Sequence, residues 1–215
     1  MGKVLIAYNN DSGTVLHDFL ELCADEAKQI CADNDMEYMP ICPPSLNEQN
    51  VVGAMLDHHL CFIAGHGDAV GIYNENDEPV VSTHTTNYNF NGKAFYSVAC
   101  SCAQNLYPHL KALGLRFFVG YNGTFNVRGE REPFVDSAMA GLKSFLSGEN
   151  VNTAKERMLA AYDVQIAELD ATDPMAAIEL AHNKEALLFE GEEALTFHEL
   201  QTTKLVDNKR ELETF

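Results

Sequence analysis

The feature that most constrains this chain is a set of short, uninterrupted apolar blocks. Residues 3–8, 60–64, 93–99 and 115–121 each read as a strand of this kind. A strand apolar on both faces has to be buried on both faces, which places it in a parallel sheet covered by helices on each side. Segments between the blocks carry the helical period instead; Val15, Leu16, Phe19, Leu20, Leu22, Cys23, Ala27 and Ile30 recur at that spacing over residues 14–32. The expectation is an α/β three-layer sandwich, a mostly parallel sheet with helices on both faces. Residues 37–41 add a strand stopped by Cys42-Pro43-Pro44. A helix is expected over 47–59 with Ser45 as its N-cap, and short strands over 70–73 and 79–82 flank a polar turn. A helix over 104–112 precedes the last apolar block. Beyond Pro133 the pattern reads helical almost to the end, with breaks at 147–150 and 172–174. Residues 1–215 read as one domain. The stretch from about 173 to 215 is the candidate helical C-terminal extension, with packing on the same core the favoured arrangement.

Aspartate and glutamate number 32 against 14 lysines and arginines, a net charge of −18. So acidic a surface repels phosphate backbones, which argues against a nucleic-acid partner. No apolar run reaches the ~20 residues that a bilayer span needs, and the first block is too short for a secretory leader. A cytoplasmic protein with no membrane partner is therefore expected. In that compartment the six cysteines, Cys23, Cys31, Cys42, Cys61, Cys100 and Cys102, are thiols rather than a disulfide framework. There is no glycine-rich phosphate loop and no Gly-x-Ser-x-Gly elbow. The spacing of His58, His59, Cys61, His66, Cys100 and Cys102 is poor for zinc. No cofactor and no metal are expected. His84, His109, His182 and His198 read as surface residues.

In open parallel sheets, ligands bind beyond the carboxyl ends of the strands. Two blocks end in reactive residues, one running into Gly65-His66-Gly67 and the other into Cys100-Ser101-Cys102. Neighbouring strands lie ~4.8 Å apart, so residues at two such ends can meet. A free thiol, with its pKa of ~8.5, is only a few per cent thiolate at neutral pH, and an adjacent imidazolium increases that fraction. The helix expected over 104–112 would add the positive end of its dipole. Gly67 lets backbone approach a substrate closely and offers its N–H to a developing oxyanion. Taken singly, a strand-end cysteine is a small buried hydrophobe and a turn histidine a solvated loop residue; the pairing carries the weight. Cys102 stays open as an alternative nucleophile, a resolving thiol or a buried neighbour, because residues two apart on a strand share a face. Asp68, Glu130 and Asp136 lie near these segments in sequence and could form a pocket for a basic side chain.

The order of apolar block, His-Gly, spacer, apolar block and Ala-Cys resembles the caspase-like (clan CD) cysteine peptidases: caspases, gingipains, clostripain, separase and the CHAT-domain proteins. Here these elements read Cys61-Phe62-Ile63-Ala64-Gly65-His66-Gly67 and Phe95-Tyr96-Ser97-Val98-Ala99-Cys100. The reactive pair is 34 positions apart (100 − 66), shorter than the ~50 of caspases. Phe145-Leu146-Ser147-Gly148 followed by Val151-Asn152-Thr153-Ala154 is similar to part of the CHAT branch, and residues 120–124 sit where those domains carry a substrate-facing loop. The resemblance covers roughly residues 1–165. It implies the caspase–hemoglobinase fold and a cysteine endopeptidase without cofactor. Cys100, preceded by Ala99, would be the nucleophile and His66 the base and acid; the backbone N–H groups of Gly67 and Cys100 would form the oxyanion hole. It further implies a protein or peptide substrate with a basic residue before the cut, a preference the acidic charge also suits, and it admits a regulatory protein partner. Ser101-Cys102-Ala103 lack the glycine that follows the cysteine in caspases. The alternative is a caspase-like scaffold or binding protein without turnover. A redox switch of Cys100 and Cys102 ranks last, since cysteines so close in sequence close a strained ring.

Overall fold

In the computed structural model, which describes residues 2–85 and 90–202, the apolar blocks become neighbouring strands of one sheet. In chain order the elements are β1 (Lys3–Tyr8), α1 (His17–Asp33), β2 (Glu37–Ile41), α2 (Glu48–Met55), β3 (Leu60–Ala64), β4 (His66–Gly67), β5 (Gly71–Tyr73) and β6 (Pro79–Ser82). They continue with β7 (Ala94–Val98), α3 (Leu106–Ala112), β8 (Phe117–Tyr121), α4 (Glu132–Leu146), α5 (Val151–Thr172), α6 (Pro174–Ala186), β9 (Leu187–Gly191) and α7 (Phe197–Thr202). The main sheet has the order β2-β1-β3-β7-β8-β9, parallel throughout except for the antiparallel edge strand β9. Strands β4, β5 and β6 form a small antiparallel sheet of their own.

Strand alternation divides the core into two layers. Val4, Ile6, Leu60, Phe62, Ala64, Ala94, Tyr96, Val98, Phe117 and Val119 pack in one layer with residues of α1, α4 and α5. Leu5, Ala7, Cys61, Ile63, Phe95 and Phe118 pack in the other, with residues of α2, α3 and the small sheet. Burying a large apolar side chain contributes about 1.5–3 kcal/mol, and both layers are continuous along the strands. The structure is the mixed α/β sandwich that the apolar blocks demand. Helix α4 lies close over the sheet because Gly141 has no side chain: a Cβ there would sit 3.0 Å from the Tyr96 hydroxyl and 3.0 Å from the Met158 sulfur. The Tyr96 hydroxyl donates to the Ala138 carbonyl at 2.6 Å.

Several expectations change. Helix α2 is capped by Asn47, whose side chain accepts from the Asn50 N–H at 2.9 Å, and Ser45 lies outside it. Helix α1 starts at His17 rather than near Thr14, because Thr14 N–H closes a turn onto the Asp11 carbonyl and Leu16 takes a left-handed φ of 64°. The expected helical tail is interrupted by β9, which pairs with β8 from Phe117↔Gly191 to Tyr121↔Leu187 and buries Phe189. Ala, Leu and Glu at residues 185–190 favour helix, but pairing with an open sheet edge overrides that preference. The break at 172–174 is the N-terminus of α6, where Asp173 accepts from the Ala176 N–H and Pro174 takes the first helical position. Residues 86–89 of the expected hairpin region and 203–215 of the candidate extension lie outside the described residues. Among the described residues no helix is long and apolar enough to cross a membrane.

Candidate active site

Strands β3 and β7 pair in parallel with Leu60 opposite Ala94 and Ala64 opposite Val98. His66 and Cys100 each stand two residues further on, and the Gly65 N–H donates to the Val98 carbonyl at 3.2 Å, carrying the contact past the last strand pair. Counting by twos from Ala94 puts Cys100 on the sheet face that packs against α1 and α4, and His66 opens β4 just after the bend at Gly65. Both side chains are half-buried and line one cleft, together with Gly65, Ala99, Phe125 and residues 15, 16, 19 and 20 at the start of α1. Gly67 presses against the same point: a Cβ on it would lie 2.7 Å from the Cys100 carbonyl oxygen and 3.4 Å from the Cys100 nitrogen. The Cys100 sulfur accepts from the Phe125 N–H at 3.3 Å and lies 3.8 Å from the Phe125 carbonyl, to which its S–H can donate.

Cys102 goes elsewhere. Ser101 has a left-handed φ of 53°, which breaks the two-residue alternation and turns Cys102 into the opposite core layer. There it is fully buried, its sulfur 3.2 Å from the Ser97 hydroxyl and 3.4 Å from the Ala99 carbonyl. Burial pushes the Cys102 thiol up from its ordinary range. Of the readings left open for Cys102, its position in the opposite layer from Cys100 fits the buried neighbour. There is no helix N-terminus at Cys100. A turn intervenes, with the Gln104 N–H on the Ser101 carbonyl, and α3 begins only at Leu106; a helix dipole acts within about one turn.

The three carboxylates considered for a basic pocket are likewise dispersed. Asp68 is taken up by its own turn, accepting from the Val70 and Gly71 N–H groups and the Tyr73 hydroxyl. Glu130 is exposed, and Asp136 lies in a separate groove beside Asp25 and Glu26. None of the three lines the cleft. His58 and His59 precede β3, at the opposite end of that strand from His66. His58 donates its Nδ1–H to the Ala54 carbonyl at 2.6 Å, and burial lowers the pKa of both rings. Among the described residues no three His, Cys, Asp or Glu side chains cluster tightly enough to hold a metal ion.

The segment after β8 supplies what sequence reasoning overlooked. Phe125, which meets the Cys100 sulfur, stacks on Phe19 at 5.5 Å. Its neighbour Asn126 is clamped by the fully buried Asn183 of α6, whose Oδ1 accepts from the Asn126 N–H at 2.8 Å and whose Nδ2 donates to the Asn126 carbonyl at 2.7 Å. The Asn122 N–H donates to the Ala186 carbonyl, and the Ser101 N–H to that of Gly123. Helix α6, within the candidate extension, thus holds the loop that touches Cys100. An apolar Phe125 within a polar loop was a signal available in the sequence; Asn183 gave none.

The fold is similar to that of solved cysteine proteinase structures of the gingipain type. Gingipain R, described as an Arg-specific cysteine proteinase, superposes with a TM-score of 0.65 over 91% of this chain and 47% of its own, at 11% identity. A complex of the pro- and mature domains of Porphyromonas gingivalis RgpB superposes with a TM-score of 0.61 over 91% and 48%, at 10% identity. The chain spans about half the length of these structures, and likeness at this identity carries the fold alone. No family model and no curated protein matches the chain.

Proposed function

We propose that the chain is a cysteine endopeptidase that cuts a protein or peptide substrate with Cys100 and His66. The observation that supports this best is their placement, lining one cleft just past the ends of the paired strands β3 and β7. In the proposed reaction His66 takes the Cys100 proton and the thiolate attacks the scissile carbonyl carbon. The carbonyl oxygen, now an oxyanion, faces the N–H groups of Gly67 and Cys100. The C–N bond breaks as the His66 imidazolium passes its proton to the departing amine. Water then adds to the thioester, giving a proton to His66, and the acid product leaves as Cys100 recovers its thiol. Gly67 suits its part because the absence of a side chain lets its backbone lie against the Cys100 peptide. A regulatory protein partner belongs to the proposal, by analogy with the neighbour seen as a complex of pro- and mature domains. A place nearer the CHAT branch rests on residues 145–154, around the α4–α5 junction, and on residues 120–124 at the end of β8.

The second reading is a caspase-like protein that binds without turnover, and Phe125 favours it, since its peptide group already engages the Cys100 sulfur. Incubation with an unfolded protein of mixed sequence, with fragments mapped by mass spectrometry, separates the two. Cutting that Cys100→Ala abolishes and Cys102→Ala spares is the expected result. Wild-type protein that leaves the substrate intact supports the binding reading.

A further inference from the structure

The cleft beside Cys100 and His66 carries information about substrate that the catalytic pair does not. Its walls are Val15, Leu16, Phe19, Leu20, Val98 and Phe125, and the described lining includes no carboxylate. It is small, about 30 Å³, where a single water occupies roughly 10–15 Å³ on a comparable measure. The acid nearest to hand on α1, Asp18, is paired with the chain's own Arg131 at 3.2 Å. The wall is also deliberately shaped. Leu16 is held left-handed, a conformation that aliphatic residues avoid. The preceding turn is tied by the Asn9 side chain, which accepts from the Asp11 N–H and the Thr14 hydroxyl, and by the Asp11 side chain, which accepts from the Gly13 N–H. Val15, 71% exposed, sits at the start of this wall.

We propose that this cleft receives the substrate side chain next to the scissile bond and selects a small uncharged apolar group, of alanine to valine size, over lysine or arginine. The proposal rests on the peptidase reading above and deepens it. A cationic side chain placed here would lose its hydration with no carboxylate among the lining residues to offset the loss. The arginine preference named for the gingipain R neighbour therefore does not carry over to this chain.

The test uses four peptidyl chloromethyl ketones, identical except for Ala, Val, Lys or Arg beside the reactive carbon, whose chloride the Cys100 sulfur displaces. The Ala and Val reagents should alkylate Cys100 at least about tenfold faster than the Lys and Arg reagents, the ratio expected when one charge goes unpaired. Val15→Asp, a change at an exposed position, should raise labelling by the Lys and Arg reagents several-fold relative to Ala. Equal rates across the four, or faster labelling by the basic pair, would overturn the proposal. So would failure of all four on a protein whose Cys100 still reacts with iodoacetamide in a His66-dependent way. Iodoacetamide labelling of Cys100 that His66→Ala leaves unchanged overturns the peptidase reading itself, and the pocket assignment with it.

Discussion

His66 and Cys100 line one cleft, each two residues past Ala64 and Val98, the pair that ends the neighbouring strands β3 and β7. No loop has to fold back to bring them together. Parallel pairing of two buried strands does so, and the hydrophobic burial that stabilises the fold also positions the reactive pair.

Gly67 is where this arrangement tolerates least. In Gly67→Ala the added methyl meets the Cys100 backbone at 2.7 Å and the Ala99 side chain at 3.0 Å, so the Cys100 segment has to shift. Overpacking of this kind costs about 1–3 kcal/mol, and a displacement at the reacting centre lowers kcat/KM by about 100-fold. The control is Gly53→Ala on α2, where nothing lies within 4 Å and stability should hold or rise by up to about 1 kcal/mol. Thermal unfolding and peptide hydrolysis of the two variants check both statements.

Thiol mapping in the native state should find two reactive cysteines out of six. Cys42 and Cys100 are half-buried, whereas Cys23, Cys31, Cys61 and Cys102 are buried. Burial pushes all four buried thiols up, Cys31 to about 12. Iodoacetamide followed by peptide mapping is expected to mark Cys42 and Cys100; prompt labelling of Cys102 would contradict the reversed path at Ser101. Ser101→Val, a β-branched residue at positive φ, should cost about 1–2 kcal/mol, and Ser101→Gly should be tolerated.

Asn183 should act on the site from a distance. Asn183→Ala strips both hydrogen bonds from the Asn126 peptide group, at a cost of about 1–3 kcal/mol. With the clamp gone, Phe125 is released from its position at the Cys100 sulfur, so the alkylation rate of Cys100 should change while that of Cys42 does not. Unaltered Cys100 reactivity in a folded Asn183→Ala protein would show that α6 serves stability only.

Lys93 gives the alkaline stability profile a sign. Its ammonium is buried just ahead of β7, donating to the His58 carbonyl at 2.7 Å, and burial lowers its pKa to about 8 although Asp57 opposes the shift. Between about 8 and the ordinary lysine value of 10.5 the unfolded chain holds more protons than the folded one, so this residue's contribution to stability grows as pH rises. Comparing Tm with Lys93→Met removes the other titrating groups: the wild type should gain on the variant across that window, and a constant difference would contradict the burial assigned to Lys93.

Much of this was legible in the residues because burial leaves a strong mark. The apolar blocks located β1, β3, β7 and β8, and the chemistry at the ends of two of them located His66 and Cys100. What escaped notice depends on contacts that leave no local trace. Nothing in Ser101 announces a positive φ, since serine adopts one only when its surroundings impose it, so strand alternation alone left the face of Cys102 open. β9 is written in helix-favouring residues and becomes a strand only because β8 has a free edge. The carboxylates near His66 and Cys100 in sequence lie away from the cleft, Asp68 in its own turn, Glu130 exposed and Asp136 in a separate groove, which leaves the cleft lining without an acid.

The central claim is that His66 activates Cys100, and the direct measurement is the second-order rate of iodoacetamide alkylation at Cys100 at pH 7, in wild type and His66→Ala. Removal of a functioning base should slow it by about 100-fold or more, with Cys42 as the internal standard and the Tm preserved. Equal rates in the two proteins would mean that sulfur and imidazole share a cleft without sharing a proton.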